Sequence, residues 1–365
     1  MPAAVAGANG IVADHYGDPV AEQRMLAAGR AIVDLSDRGV VTVTGPDRLT
    51  WLDSLTSQSL TSLAPGQSAE TLLLDPNGRL EHAMHVIDDG EVAWLLVDGA
   101  AAPALAAWLD RMRFMMRVEV ADVSPQWATL AQLLPLDAEP LVAPAAPNGQ
   151  PLLWRDPWVS VQSGGWQYAA ESEHPAAQFD VVELLVERAR LAEIADAVRA
   201  AALAVAGALA LEALRIAAWR PRFGTEVDDR TIPHELDWLR SAVHLAKGCY
   251  RGQETVAKVH NLGHPPRRLV MLHLDGSDAL LPGHGAPVML EGAAVGVVTS
   301  SARHHELGPI ALAVVKRSLD PSAALTVEVD GVPIAAAQQV IVPPDAGATA
   351  GVPRLPRLGA VTRPS

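Results

Sequence analysis

The sequence pattern of this chain changes at "HPPRR", residues 264–268. Before this point, segments of helix length alternate with short apolar segments joined by turns. After it, short alternating stretches such as "RLVMLHLDG" and "IALAVVKR" follow one another with glycine-containing turns between them, which is typical of a small antiparallel barrel or sandwich. We therefore predict an α+β chain in which residues 1–266 form a first region and residues 267–342 form a C-terminal antiparallel β-barrel.

Local patterns divide the first region further. "AETLLLDPNGRLEHAMHVID" predicts two strands joined by a turn at residues 75–78. Residues 180–218 are apolar over a long stretch and predict helical structure broken near Gly207. Two segments rich in proline have little apolar surface to bury, so we expect a flexible insertion at 135–151 and a disordered tail at 343–365.

Charge and composition exclude several classes of function. The net charge of −14 and the 4% content of aromatic residues argue against nucleic-acid binding. The longest apolar run, residues 200–210, is too short to cross a bilayer, the N-terminus lacks the pattern of a signal peptide, and the single cysteine excludes an intrachain disulfide. These features predict a cytoplasmic protein that binds neither nucleic acid nor membrane.

Positive charge is concentrated in one stretch of this acidic chain. Residues 215–268 hold ten Lys or Arg against six Asp or Glu, a local charge of +4. A basic stretch of this kind suits a small anionic ligand, although neighbours in sequence need not form one surface. The same stretch contains "RFGTEVDDRTIPHELDW", residues 222–238, which is either part of a binding site or a solvated loop.

The only cysteine, Cys249, lies in the basic stretch within "KGCYRGQE", residues 247–254. If the backbone is extended, Lys247 and Arg251 lie on the same side as the thiol, and cations favour the reactive thiolate. Gly248 and Gly252 leave room for a ligand to approach the backbone. An inert thiol in a turn is the alternative. The sequence contains no HExxH or multi-cysteine metal site and no glycine-rich loop for dinucleotides or nucleotide phosphates, so we predict no resident metal.

Three stretches together resemble a known family. "DLSDRGVVTVTGPDRLTWLDSLTSQ", "LLLDPNGRL" and "KGCYRGQE" are similar to segments of the YgfZ family of folate-binding proteins, a branch of the superfamily typified by the glycine-cleavage T-protein. The resemblance implies two α/β lobes around a central folate channel, followed by a C-terminal β-barrel. It also implies tetrahydrofolate, or a derivative, as the cofactor.

Two positions depart from the T-protein pattern that the resemblance implies. His82, next to Glu81, occupies the position of the aspartate that orients the reacting folate nitrogen in T-proteins, and Ala217 occupies that of an acidic residue near the pterin. These departures argue against a glycine-cleavage aminomethyltransferase. The YgfZ resemblance instead implies a tetrahydrofolate-binding factor that supports assembly or repair of iron-sulfur (4Fe-4S) client proteins, including tRNA-modifying enzymes.

Two other functions remain open on the sequence. One is a folate-dependent aminomethyl or methyl transferase that uses Glu81 or His82, and the other is an interaction protein with a vestigial channel. For the maturation factor we expect Cys249 to be the reactive residue. The cofactor-binding residues that we expect beside it are Lys247, Tyr250, Arg251, Gln253, Glu254 and Trp238.

Overall fold

The computed structural model describes residues 4–7, 10–169, 174–277 and 280–351. In the described part of the chain up to residue 135, α-helices are interleaved with short strands. They are β1 (Val5–Ala6), β2 (Ala13–His15), α1 (Pro19–Ala27), β3 (Ile32–Asp34), β4 (Gly39–Thr44), α2 (Arg48–Leu55), β5 (Ser68–Leu74), β6 (Leu80–Asp88), β7 (Val92–Val97), α3 (Ala102–Arg111), β8 (Glu119–Asp122) and β9 (Trp127–Leu133).

The first lobe is an antiparallel sheet of five strands in the order β5-β6-β7-β4-β8. The alternation of "GVVTVT" in β4 gives this sheet β-branched side chains on both faces. On one face, α2 and α3 pack through residues such as Trp51, Leu105 and Leu109. The predicted hairpin at 75–78 joins β5 to β6.

The second lobe combines a strand that precedes the first lobe in the sequence with strands that follow it. Its remaining elements are β10 (Leu153–Arg155), β11 (Val181–Glu187), α4 (Leu191–Arg199), β12 (Val205–Ala206), α5 (Ala208–Ala217), α6 (Phe223–Glu226), α7 (Leu239–Ala242) and α8 (Gln253–Leu262). The sheet order is β10-β11-β9-β3-β12, and β12 runs parallel to β3. Trp154 and Leu185 join this sheet to Trp94 and Leu96 of the first lobe in one buried cluster.

The helical prediction for residues 180–218 was wrong at its start. Residues 181–187, "VVELLVE", form β11, which pairs with β10 on one side and β9 on the other. Six of its seven residues are buried, so the segment is apolar on both faces and shows no strand alternation. The chain is helical at 191–199 and again at 208–217, on either side of Gly207.

The C-terminal part is a closed barrel with the strand order β13-β16-β15-β14-β17-β18. This confirms the predicted α+β class with an antiparallel C-terminal barrel. The barrel packs on the lobes through Met271 and Leu312, which share a buried cluster with Trp238. The strands are β13 (Arg267–Leu274), β14 (Pro287–Leu290), β15 (Ala293–His304), β16 (Gly308–Lys316), β17 (Leu325–Val329) and β18 (Val332–Val340).

Two proline-rich segments are held by specific contacts. In the predicted insertion 135–151, Val142 is buried and the amide of Ala145 donates to the carbonyl of Leu185. In the predicted tail, Ala346 is buried and its carbonyl lies 2.8 Å from Nδ1 of His264. Residues 352–365 lie outside the described residues. Within the described part of the chain, no helix has the length and apolar character needed to cross a membrane.

Candidate active site

A cavity lies where the two sheets, α5 and the segment 220–223 meet. Its volume, including the space at its open mouth, is about 770 Å³. Trp154, Phe223 and Trp238 contribute aromatic walls. The charged side chains that line it are five carboxylates and four arginines: Glu70, Asp98, Asp156, Glu183, Glu212, Arg38, Arg215, Arg220 and Arg222.

Arg220 is the centre of a buried ionic network at one end of this cavity. Its Nη2 lies 2.7 Å from Oε1 of Glu70, and its Nε lies 2.9 Å from Oδ2 of Asp156. Trp238 Nε1 and the Ser241 hydroxyl also donate to Glu70, at 3.0 and 2.6 Å. Burial alone would raise the pKa of Glu70, but Arg220 and the other donors lower it and keep the carboxylate charged. The network therefore fixes the indole of Trp238 in the cavity wall.

A second buried group lies on the facing strands β6 and β11. The imidazole of His85 stacks on Trp154 with ring centroids 3.7 Å apart, and its Nδ1 lies 3.0 Å from Oε2 of Glu183. Arg38 Nη2 contacts the other oxygen of Glu183 at 2.9 Å. Burial opposes ionisation of Glu183, but Arg38 and His85 outweigh it and lower its pKa to about 2. Glu183 therefore remains a carboxylate between Arg38 and His85 at this end of the cavity.

Arg215 connects the cavity to the barrel. Its guanidinium pairs with Glu212 and with Glu226, the latter at 3.0 Å, and its Nη2 donates to the Ser300 hydroxyl of β15 at 2.6 Å. Ser300 also donates to Glu226. A charged side chain that lines the cavity therefore also links α5 to the barrel.

The loop of Cys249 lies outside this cavity lining, and its thiol is exposed. The ammonium group of Lys247 contacts the carbonyl oxygens of Asp53, Thr56 and Gln58 at 2.5, 2.9 and 2.7 Å. Arg251 pairs with Glu81 at 2.5 Å and packs over the Trp108 ring. Both cations that flank the cysteine are therefore bound to groups from the first lobe.

The other predicted site residues have distinct environments. Tyr250 is buried in the core cluster beside Trp238. Gln253 donates to the carbonyl oxygens of Lys247 and Gly248 at 3.2 and 3.3 Å, and Glu254 is exposed in the first turn of α8. Of the seven predicted residues, Trp238 lines the cavity. The other six lie in the loop 247–254, outside the cavity lining.

Gly252 lets this loop pack closely on the turn of the first-lobe hairpin. Gly252 has φ +85°, and a Cβ there would lie 2.7 Å from the carbonyl oxygen of Asp75 and 3.0 Å from Cα of Gly78. A side chain is excluded at Gly252 by both conformation and space. The room predicted for a ligand beside Gly252 is therefore filled by the hairpin turn of the protein itself, whereas a Cβ on Gly248 would have no atom within 4 Å.

Comparison with known proteins identifies the family. Residues 15–135 match the GCVT N-terminal domain, and residues 267–343 match the glycine cleavage T-protein C-terminal barrel domain. The chain belongs to the aminomethyltransferase-like superfamily.

Individual relatives cover most of the chain. An aminomethyltransferase of Nostoc sp. PCC 7120 is 29% identical over 82% of this chain and 80% of the relative. One from Moorella thermoacetica is 29% identical over 82% of each chain. The crystal structure of glycine cleavage system aminomethyltransferase T from Bartonella henselae superposes with a TM-score of 0.67 at 19% identity, covering 93% of this chain and 91% of that one. This last similarity supports the fold.

The two positions at which the sequence departs from the T-protein pattern are not among the residues that line the cavity, but each lies close to them. His82 on β6 stacks with Phe223 of the cavity wall, with ring centroids 6.1 Å apart. Burial lowers the pKa of His82, although Glu81 and Asp98 oppose this shift, so the imidazole is neutral near pH 7. Ala217 ends α5 and packs on the core cluster.

Sequence reasoning missed the ionic networks. Glu70 is the single charge of β5, and Glu183 is a charge in the interior of β11, whose other glutamate is its last residue. Arg220 and Arg222 flank a proline that follows α5. A charge in the middle of a buried strand is a usable signal, because such a residue needs a partner. Its partner could not be named from the sequence, because Arg220 lies 150 residues from Glu70.

Proposed function

We propose that this chain binds tetrahydrofolate in the cavity between its lobes and supports assembly or repair of 4Fe-4S proteins, tRNA-modifying enzymes among them. The observation that carries the folate part is the cavity itself, which combines aromatic walls with arginines in a member of the aminomethyltransferase-like superfamily. The maturation role rests on the resemblance of "KGCYRGQE" to the YgfZ motif and on the exposure of Cys249.

The cavity walls fit the chemistry of a folate. The ligand has a flat heterocycle, for which the partly exposed ring of Phe223 is the available aromatic face, while the buried Trp154 and Trp238 make the wall behind it apolar. It also has an anionic glutamate tail, for which Arg222, with 44% of its side chain exposed, and Arg38, with 19%, are the accessible cations. When bound, tetrahydrofolate would supply nucleophilic amine nitrogens, and this chain would supply orientation and exclusion of water.

A glycine-cleavage transferase is disfavoured by residue 82. A neutral histidine carries no negative charge to orient a ligand amine, and the neighbouring Glu81 is held in an ion pair with Arg251. Aminomethyl transfer, the activity for which the relatives are named, is therefore the second candidate for this chain. What favours it is the 29% identity to proteins named aminomethyltransferase along most of their length.

The exposure of Cys249 supports a role of its thiol towards a partner protein rather than inside the cavity. Its thiol is exposed, and the loop is fixed to the first lobe by Gly252 and by the pair Arg251–Glu81. An iron-sulfur cluster takes several thiolate ligands, so one thiol contributes a single ligand or a single exchange step, shared with a client protein. The ion pair also places this loop next to β6, which contributes Ala83 and His85 to the cavity.

Cys249→Ser tests the maturation role. In cells that lack this protein, we expect the variant to fail to restore the activity of a 4Fe-4S tRNA methylthiotransferase that the wild type restores, because serine neither exchanges with nor binds iron as a thiolate does. Lys258→Met, at an exposed position of α8, is the matched control and should restore activity fully. Full restoration by Cys249→Ser, with both variants equally abundant and folded, would refute the role of the thiol.

A further inference from the structure

One carboxylate of the cavity has no structural partner. Asp98 follows β7, lines the cavity and is partly exposed. Within the described ranges, no hydrogen bond or ion pair holds its carboxylate, and it does not cap the short helix Gly99–Ala101 that follows it. The other four cavity carboxylates are all paired with arginines, namely Glu70 and Asp156 with Arg220, Glu183 with Arg38, and Glu212 with Arg215.

The carboxylate of Asp98 lies close to Gly224. A Cβ built on Gly224 would lie 3.0 Å from Oδ2 of Asp98, so the glycine leaves the space that the carboxylate occupies. The charge of Asp98 acts on His82, whose pKa it raises against the larger effect of burial. Asp98 therefore borders the corner formed by His82 and Phe223.

A free carboxylate in this corner selects for one chemical feature of a ligand. It accepts hydrogen bonds from N–H groups and repels lone pairs and anions. Tetrahydrofolate carries N–H donors at N5 and N8 of its reduced ring, whereas folic acid has unprotonated ring nitrogens with lone pairs at both positions. The anionic glutamate tail is repelled from Asp98 and is directed towards the arginines.

We infer that Asp98 is the carboxylate that contacts the reduced ring of the ligand and makes the site selective for reduced over oxidised folates. This inference rests on the tetrahydrofolate binding proposed above. It assigns to residue 98 an acidic contact that residue 82 does not supply, and it requires no movement of the ionic networks around Arg220 and Glu183.

Titration calorimetry with tetrahydrofolate and with folic acid tests the assignment. We expect wild type to prefer tetrahydrofolate. In Asp98→Asn the affinity for tetrahydrofolate should fall about tenfold, as for loss of one charge-assisted hydrogen bond. Its affinity for folic acid should stay the same or rise, because the amide can donate to a ring nitrogen. The preference ratio should therefore shrink at least tenfold.

A control variant locates the effect. Asp196→Asn, which removes a carboxylate from the exposed face of α4, should keep the wild-type preference ratio. An unchanged ratio in Asp98→Asn, or an equal loss of affinity for both ligands, would overturn the assignment while the proposed function stands. Failure of the wild type to bind either ligand would instead overturn the proposed function, and this inference with it.

Discussion

Lys247 is a charged residue of the "KGCYRGQE" motif that holds the motif against the first lobe. Its position beside Cys249 predicted a contact with ligand or thiol, yet its ammonium group is bound to carbonyl oxygens at the end of α2 and just beyond it. The side chain is 3% exposed, and burial lowers its pKa although Asp53 opposes the shift. These partners lie about 190 residues earlier in the chain, so no local pattern could reveal them.

Removal of this ammonium group should destabilise the protein. For Lys247→Met we expect the free energy of unfolding to fall by about 3 kcal/mol, because buried carbonyl oxygens lose a charged donor. Urea denaturation measures the change. Lys258→Met, at an exposed position of α8, should change the unfolding free energy by less than about 0.5 kcal/mol. Equal stability of the two variants would show that the contacts of Lys247 contribute nothing.

Among the secondary-structure elements, the sequence predicts those that have clear periodicity and clear turn residues at their ends. It does not predict a strand whose two faces are both buried. The hairpin β5–β6 follows from its "DPNG" turn, and the barrel follows from alternating strands. β11 was mistaken for helix because a central strand covered on both sides has no alternation. The contact of the 247–254 loop with the hairpin turn was also unpredictable, because glycine marks a close approach without naming the partner.

The glycines of the loop offer a matched pair of substitutions. Gly252→Ala should lower the unfolding free energy by about 2 kcal/mol, because a side chain at φ +85° is strained and meets the carbonyl of Asp75. Gly248→Ala should be tolerated, because the space around it is open. Urea denaturation of both variants compares them directly. A larger loss in Gly248→Ala than in Gly252→Ala would contradict the docking of this loop on the hairpin.

For the whole molecule, architecture was more predictable than electrostatics. The alternating strands predict the barrel, because that pattern is repeated over many residues, and the family resemblance implies the two lobes. The local excess of positive charge between residues 215 and 268 predicted a basic site, but seven of its ten cations form ion pairs, three of them in the cavity network. Which charges remain accessible is decided by partners from distant strands and helices.

The central claim is that the cavity between the lobes binds tetrahydrofolate. Its most direct test is a calorimetric titration of the purified protein with tetrahydrofolate under reducing conditions, with the alkylation rate of Cys249 followed on the same samples. We expect saturable binding to one site per chain and a changed alkylation rate, because Arg251 and Glu81 connect the cysteine loop to β6. Binding with an unchanged rate would separate the thiol from the folate site, and the absence of binding would contradict the central claim.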